Sequence, residues 1–392
     1  MEKRPAFIPI SVIGVGQIFA WGSSFYLIAV LAGPVAQETG WPMTWIVAGH
    51  SFALFAAGLA SPRVGRLIEA WGGRKVLAAS SLLLAMGHVL LALTSHLAVW
   101  YAAWLLLGLG MACGLYDSAF ATLAQIYGAQ ARRAITHVTL FGGLASTICW
   151  PLSAVLIEAI GWRGACLAYA ALQCGVFLPL HFFALPGPLG ERAAAVQTDE
   201  DKTGRASISL VHLLLGVILT TAAAVAAIMS VHLITLLQAR GLMLGAAVAM
   251  GAIFGPAQVL ARIVELAAGR HYHPVWTLFA SVLLVFAGVA LLSVDGPVAL
   301  IAASLILYGA GNGVNSIARG TAPLALFGPA GYARLMGKLA LPALIAQALA
   351  PPLAAVLIER GGAELALNVL IGIVFVNSIA GIVLLYATRR MR

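Results

Sequence analysis

The second long apolar run of this chain ends in Gly65-Arg-Leu-Ile-Glu-Ala-Trp-Gly-Gly-Arg-Lys75. A related stretch, Ala261-Arg-Ile-Val-Glu-Leu-Ala-Ala-Gly-Arg270, closes another apolar run 196 residues later. A second pair of similar stretches is Gly108-Leu-Gly110 and Gly309-Ala-Gly311, about 201 residues apart. Repetition on this scale indicates that the chain consists of two related halves.

The composition is that of a membrane protein. Hydrophobic residues make up 62% of the 392 residues and charged residues only 9%, whereas a soluble domain carries about a quarter charged residues. The chain divides into apolar segments of the length that a bilayer requires. They are residues 8–33, 43–62, 76–94, 98–126, 135–159, 164–185, 209–237, 243–266, 275–293, 298–318, 338–358 and 365–388. The sequence therefore predicts an all-α protein with twelve transmembrane helices.

The basic residues predict the orientation of these helices. With the N-terminus in the cytoplasm, 19 of the 22 Lys and Arg residues fall in inside loops and only Arg163, Arg240 and Arg360 fall outside. This asymmetry follows the positive-inside rule. We therefore expect an integral protein of the bacterial inner membrane with both termini in the cytoplasm. The net charge of +9 is spread over many cytoplasmic loops, which favours contact with anionic lipid over a nucleic-acid partner.

The polar stretch between the sixth and seventh apolar runs predicts the domain boundary. Residues 186–208 contain Pro186-Gly-Pro188 and the cluster Asp199-Glu-Asp-Lys202. We interpret this stretch as a cytoplasmic linker between a six-helix bundle at 1–185 and a second at 209–392. Two related helical halves joined in this way are typical of an alternating-access carrier.

With these motifs the chain resembles the major facilitator superfamily over essentially its whole length. The family's loop after the second span is roughly G-x-L-x-D-R-x-G-R-R/K, and here Glu69 replaces the Asp and Ala70 the Arg. This loop keeps the glycines and the terminal basic pair of the family pattern. The resemblance implies a two-bundle fold and a gating role for this loop. The predicted gating residues are Gly65, Glu69, Gly72, Arg74 and Lys75, with Glu265 and Arg270 in the second half.

The eighth span resembles the monocarboxylate-transporter branch of this superfamily. There an Asp-x-x-x-Arg pair lies on one helix face and the Arg binds the substrate carboxylate; here the pair is Gln258 and Arg262. A guanidinium fits a carboxylate through two parallel hydrogen bonds. Gln258 cannot take up a proton, so lactate–proton symport is not implied. The alternative is that Arg262 is a gate residue equivalent to Arg66 and paired with Glu265.

Further polar residues inside the spans are candidates because such groups are costly in lipid. In span ten, Tyr308, Asn312, Asn315 and Arg319 recur every three or four residues and form one stripe. We expect Tyr308, Asn312 and Asn315 to line the substrate cavity, with helix–helix hydrogen bonding as the alternative. Tyr26 in span one and His232 in span seven, matched through the repeat, are further candidates for substrate binding.

Proton coupling has two candidates. Asp117 lies in the inner half of span four, where a carboxylate can carry a proton during the transport cycle. His137 is the second candidate, because histidine is a common proton relay. The alternative for Asp117 is a structural pair with His137 or Arg319.

The sequence therefore predicts a secondary transporter of a small organic anion such as a carboxylate, working as a monomer without cofactor or metal. No nucleotide-binding, hydrolase or zinc-protease motif indicates an enzyme. The alternative function is efflux of a drug or a trivalent arsenical. The arsenical version would use the four cysteines, Cys113, Cys149, Cys166 and Cys174.

Overall fold

A computed structural model of the chain describes residues 7–187 and 202–389. All regular secondary structure in these two ranges is helical, which confirms the predicted fold class. Before the gap the helices are α1 (Phe7–Ser23), α2 (Ile28–Thr39), α3 (Met43–Trp71), α4 (Gly73–Ala92), α5 (Leu97–Gly114), α6 (Tyr116–Tyr127), α7 (Ala131–Gly143), α8 (Ala145–Leu172) and α9 (Leu178–Phe183). After it come α10 (Lys202–Ala239), α11 (Leu244–Gly251), α12 (Phe254–Ala268), α13 (Pro274–Leu292), α14 (Val298–Phe327) and α15 (Tyr332–Arg389).

The described residues contain nine helical stretches that are long and apolar enough to cross a membrane. Two of them are far longer than one crossing requires: Leu97–Phe183 has 87 residues and Tyr332–Arg389 has 58. The first is interrupted by the turn of 3-10 helix at Gly128–Gln130 and by non-helical backbone at Gly161. The second is interrupted at Gly361 and Gly362. Divided at these points, the nine stretches give twelve membrane crossings.

The chain packs into two compact units. One comprises Met1–Ala195 with Phe327–Ala348, and the other Val196–Leu326 with Leu349–Arg392. The beginning of α15 therefore packs with the first unit, although it follows α14 in sequence. Most of the predicted linker, residues 188–201, lies outside the described residues. The division into 1–185, 186–208 and 209–392 remains a prediction.

The two halves repeat in a register of 201 residues. Helix α3 begins at Met43 and α11 at Leu244, α4 at Gly73 and α13 at Pro274, and α5 at Leu97 and α14 at Val298. Two turn glycines also repeat: Gly40 and Gly241 have φ of 69° and 84°, and Gly161 and Gly362 have φ of 72° and 71°. Only glycine takes this left-handed backbone without steric cost.

Close helix crossings follow the same register. A Cβ on Gly108 would lie 2.3 Å from the Ala53 carbonyl oxygen, and one on Gly309 would lie 2.9 Å from that of Phe254, 201 residues later in both partners. Two further close contacts recur 201 residues later. A Cβ on Gly87 would meet Ala103, and one on Gly288 would meet Ser304. A Cβ on Gly110 would meet Leu84, and one on Gly311 would meet Val285. Small residues at membrane crossings let backbones approach closely. The frame of each half therefore rests on glycines at equivalent positions.

The first crossing is broken near its middle, between α1 and α2. Side chains from other crossings of the first unit satisfy the carbonyl groups that this break frees. His88 donates from Nε2 to the Ser23 carbonyl at 2.6 Å, and Trp150 donates from Nε1 to that of Tyr26 at 3.1 Å. Gln173 donates to the Ser23 hydroxyl at 3.2 Å. Irregular backbone within a membrane needs partners of this kind.

We predict that Gly108→Ala destabilises the protein, because the added methyl group meets the backbone of α3 rather than a flexible side chain. Overpacking of this kind costs about 1–3 kcal/mol. Thermal unfolding of the purified protein in detergent measures the loss. Gly33→Ala is the matched control, since a Cβ on this helical glycine meets nothing within 4 Å. Equal melting temperatures for wild type and Gly108→Ala would contradict the prediction.

Candidate functional site

Arg262 lies on α12 and contacts α14 in the second unit. Its Nε donates to the Ser316 hydroxyl at 3.0 Å and more weakly to the Gly313 carbonyl at 3.4 Å. One terminal nitrogen donates to Gln258 Oε1 at 3.3 Å, so the pair spaced by four residues shares one helix face as predicted. Arg262 is only 6% exposed. A buried guanidinium is a strong recognition element for an anion.

The face that carries Arg262 points away from the lipid side of α12. Leu260 is 63% and Val264 57% exposed, and both lie two residues from Arg262. Two residues correspond to about 200° around a helix, so these apolar side chains occupy the opposite face. Arg262 and Gln258 therefore project towards the interior of the second unit.

The repeat register corrects the proposed equivalence of Arg262 and Arg66. The sequence match of Gly65–Arg74 with Ala261–Arg270 uses an offset of 196 residues, whereas the helix starts and glycine crossings use 201. At 201 the counterpart of Arg262 is Ser61, five residues before Arg66. Five residues are about 7.5 Å of helix, so Arg262 lies deeper than a gate arginine at the position of Arg66 would.

The stripe of α14 is divided between two environments. Asn312, Asn315 and Arg319 are half-buried, and Ser316 on the same helix contacts Arg262. Tyr308 is only 2% exposed and stacks on Phe254 with ring centroids 5.2 Å apart, inside the apolar core of the second unit. It lies eight residues, or about 12 Å, before Ser316 along the helix. Its part in substrate binding remains a prediction.

Glu265 is a buried carboxylate one turn beyond Arg262. It accepts hydrogen bonds from the Tyr272 hydroxyl and, at 2.9 Å, from the Thr277 hydroxyl of α13. These bonds connect the end of α12 to the start of the next crossing. The side chain of Arg270, the other predicted gate residue of this half, lies outside the described part of the structure.

The predicted gate loop of the first half contacts the beginning of α15 within the first unit. Glu69 forms an ion pair with Arg334 at 2.7 Å and also accepts the Arg334 backbone N–H at 3.3 Å. The helices meet closely here, because a Cβ on Gly65 would lie 2.4 Å from the Ala333 carbonyl oxygen and one on Gly337 2.4 Å from that of Ser61.

The remainder of the loop is fixed by a residue that the sequence analysis did not single out, Gln125 of α6. Its Oε1 accepts the Gly73 N–H at 2.8 Å and its Nε2 donates to the Ile68 carbonyl at 2.7 Å. Gly72 has a φ of 83° and ends α3. The Arg74 guanidinium lies over the Phe182 ring at 5.1 Å, and Lys75 is exposed.

The two candidates for proton coupling lie on neighbouring helices of the first unit. Asp117 is in the first turn of α6 and lines a small cavity with Ser61, Gly65, Ala333 and others, next to the contact of α3 with α15. His137 on α7 donates from Nδ1 to the Arg133 carbonyl at 2.6 Å. The cavity places Asp117 beside the gate loop, a relation that the sequence did not reveal.

Tyr26 and His232 are not equivalent in the repeat. The register set by Gly40 and Gly241 pairs His232 with Leu31, so the match between His232 and Tyr26 is wrong. Tyr26 lies in the break of the first crossing, whereas His232 belongs to the continuous helix α10 and contacts the Pro351 carbonyl through Nε2 at 2.9 Å.

The model of the Major Facilitator Superfamily matches residues 13–317. This match covers more than three quarters of the chain, from α1 into α14. The chain belongs to the major facilitator superfamily.

Among curated proteins, this facilitator is similar to monocarboxylate transporter 11 of Homo sapiens, with 28% identity over 193 residues. The mouse protein of the same name is 28% identical over 153 residues. The human alignment covers 46% of this chain and 38% of the relative. The chain thus aligns with less than half of the length of these relatives.

Solved structures show the same fold at low identity. The human organic anion transporter MFSD10 (TETRAN) superposes with a TM-score of 0.74 at 17% identity and covers 97% of this chain and 100% of its own. FucP in the outward conformation gives 0.71 at 14% identity, covering 96% and 99%. The proton:xylose symporter XylE gives 0.72 at 12% identity, covering 95% and 94%. These likenesses establish the facilitator fold over the whole chain.

Sequence reasoning missed Ser316 and Gln125 in this facilitator. Ser316 lies three residues before Arg319 and four after Asn312 on the predicted stripe, so helical spacing was a usable signal. Gln125 lies 52 residues from its partner Gly73, and no local pattern indicates that contact. No group of three His, Cys, Asp or Glu residues suited to a metal occurs in the part of the chain that the structure describes.

We predict that Glu69→Arg and Arg334→Glu each destabilise the facilitator and that the double variant recovers most of the loss. The pair is partly exposed, so its coupling energy should be modest, about 0.2–1 kcal/mol. A double-mutant cycle of melting temperatures in detergent measures the coupling. Arg66→Glu, an exposed change on the same loop, is the control. Strictly additive effects of the two single changes would contradict the pairing.

Proposed function

We propose that this facilitator is a secondary active transporter that moves a small organic anion, such as a carboxylate, across the membrane by alternating access. The observation that carries the proposal is the buried Arg262 guanidinium, which is oriented by Gln258 and Ser316 on the side away from lipid. A buried charge is costly and usually serves function inside a membrane. The names of its relatives, a monocarboxylate transporter and an organic anion transporter, agree with an anionic substrate.

Arg262 would bind the anionic group, and Gln258 would share its orientation through the contact seen on α12. Asn312 and Asn315 lie on the same stripe as Ser316 and supply amide groups for the rest of the substrate. Tyr308, Tyr26 and His232 remain further candidates for substrate contacts. The amide at position 258 adds no negative charge beside the arginine, whereas a carboxylate there would compete with the substrate.

Arg262→Ala should weaken carboxylate binding by about 30-fold or more, since truncating one partner of a buried charge pair costs at least about 2 kcal/mol. A thermal-shift screen of the purified protein against carboxylates, other oxyanions and cationic drugs measures this, because binding stabilises the folded state by mass action. Arg240→Ala is the control: Arg240 is a half-buried arginine that bonds Asp295 in a loop.

Two outcomes would overturn the assignment of Arg262. Carboxylate shifts that are equal in wild type and Arg262→Ala would show that this residue does not bind the anion. Shifts with cationic drugs or trivalent arsenicals alone would favour efflux of a toxic compound over anion transport.

Transport is proposed to be coupled to protons, with Asp117 as the first candidate and His137 as the second. Asp117 adjoins the contact between α3 and α15, where Glu69 binds Arg334. Protonation of a carboxylate at this place would change the charge beside a contact that must open and close during the cycle. The loop from Gly65 to Lys75, with Glu69 at its centre, is proposed to close the cytoplasmic side.

Asp117→Asn should abolish uptake driven by a pH gradient in proteoliposomes but preserve counterflow exchange of labelled substrate, which needs no net proton movement. The same two assays on His137→Asn test the second candidate. Loss of both activities with an intact melting temperature would mean that Asp117 serves the conformational change rather than the proton. Gradient-driven uptake at the wild-type rate would exclude it from coupling.

The setting of this activity is proposed to be the bacterial inner membrane, with both termini cytoplasmic and the monomer as the working unit. The distribution of the 22 basic residues supports that orientation. The substrate and the lipid bilayer are the partners that this function requires.

A further inference from the structure

Eight aromatic side chains of the first unit form one continuous cluster around the break in the first crossing. This ring cluster consists of Trp21, Phe25, Tyr26, His50, Trp104, Tyr116, Phe120 and Trp150. Neighbouring ring centroids lie between 5.0 Å, for Trp21 and Tyr116, and 6.1 Å, for Trp21 and Tyr26. Its members come from α1, the break itself, α3, α5, α6 and α8.

Part of the ring cluster remains open on the side away from lipid. Trp21, Phe25, Tyr26 and His50 are half-buried rather than enclosed. On α3 the lipid side is marked by Trp45, Phe52 and Leu59, which recur every seven residues and are 55%, 39% and 47% exposed. His50 lies about 140–180° around the helix from these three residues. The exposed edge of the His50 ring therefore faces away from the lipid side of α3.

Two buried nitrogen atoms in the ring cluster have no hydrogen-bond partner among the described residues. They are Nε1 of Trp104, a fully buried residue, and Nδ1 of His50. The two rings meet edge to face, with centroids 5.5 Å apart. Buried polar atoms are nearly always paired, so the pair marks a place where a ligand can complete the hydrogen bonding.

The fold itself does not require these rings. At the register of 201 residues, His50 corresponds to Gly251, Trp104 to Leu305 and Trp150 to Pro351. The second half keeps the same glycine crossings without any aromatic residue at these three positions. The helix crossings therefore do not account for these rings in the first half.

We propose that the ring cluster binds a planar aromatic ring, so that the cargo is an aromatic carboxylate whose ring carries a hydrogen-bond acceptor. The carboxylate part rests on the proposed function, whereas recognition of the ring does not. The ring stacks against Trp21 and Phe25 beside the broken helix, and His50 moves aside so that Trp104 Nε1 donates to the acceptor. Broken helices near the middle of the membrane are a common setting for substrate sites in transporters.

The test compares 4-hydroxybenzoate with trans-4-hydroxycyclohexanecarboxylate, which has the same charge, the same ring oxygen as acceptor and a six-membered ring but no planar face. Binding to the purified full chain is measured by thermal shift over a concentration series. Wild type should bind 4-hydroxybenzoate about tenfold more tightly. Trp21→Leu and His50→Leu should remove this preference, and Trp21→Phe should keep it. Trp45→Leu, which changes a lipid-facing indole, is the control and should behave as wild type.

Equal affinities for the two acids in wild type, or a preference that survives Trp21→Leu and His50→Leu, would overturn the ring proposal and leave the anion proposal intact. Arg262→Ala distinguishes the ring proposal from the anion proposal, since it should lower the affinity for both acids by the same factor and preserve the ratio of the two affinities. If neither acid binds, the anion proposal fails and phenol against cyclohexanol tests the ring alone. Stabilisation by phenol that is lost in Trp21→Leu then supports the cluster as a ring site, and no such stabilisation overturns it.

Discussion

Backbone hydrogen bonding within the bilayer constrains every other feature of this facilitator. Where no water is available, each amide must find its partner inside the protein, and continuous helices meet that condition. Where the helix is interrupted, other groups of the protein must therefore replace the lost backbone hydrogen bonds. At the break in the first crossing, His88 and Trp150 do so by donating to the Ser23 and Tyr26 carbonyls, and Gln173 adds a bond to the Ser23 hydroxyl. Three crossings thus contribute side chains to hold one irregular segment in place.

The same constraint explains how polar side chains are distributed. Arg262 and Glu265 are both buried on α12, yet each is fixed by neighbouring groups: Arg262 by Gln258 and Ser316, and Glu265 by Thr277 among others. Charged groups near the ends of crossings are instead exposed in part and pair across short distances, as Glu69 does with Arg334. Depth in the membrane thus separates a fixed, water-poor arginine from a partly hydrated ion pair. The first is suited to recognition and the second to repeated opening and closing.

The fold was predictable from sequence because hydropathy and charge distribution act over whole segments. Twelve apolar runs and the Gly65–Lys75 loop were sufficient for the superfamily, and helical spacing was sufficient to place Gln258 beside Arg262. The register between the halves was not predictable from the motif alone. Gly65–Arg74 aligns with Ala261–Arg270 by identity, but helix packing depends on where backbones cross, and only the structure shows that Gly108 and Gly309 occupy equivalent crossings. Long-range partners such as Gln125 for Gly73 were likewise beyond any local pattern.

The break in the first crossing also has a mechanical consequence. An unbroken rod over Phe7–Thr39 would tilt as one piece. With four non-helical residues between α1 and α2, the rod becomes two levers, about 25 Å and about 18 Å long from the helical rise. Rotation of the shorter helix, α2, by about 10° would displace its end away from the break by about 3 Å without moving α1. Gln17, bonded to the Gly114 carbonyl at 2.6 Å, keeps the longer segment anchored while the shorter one moves.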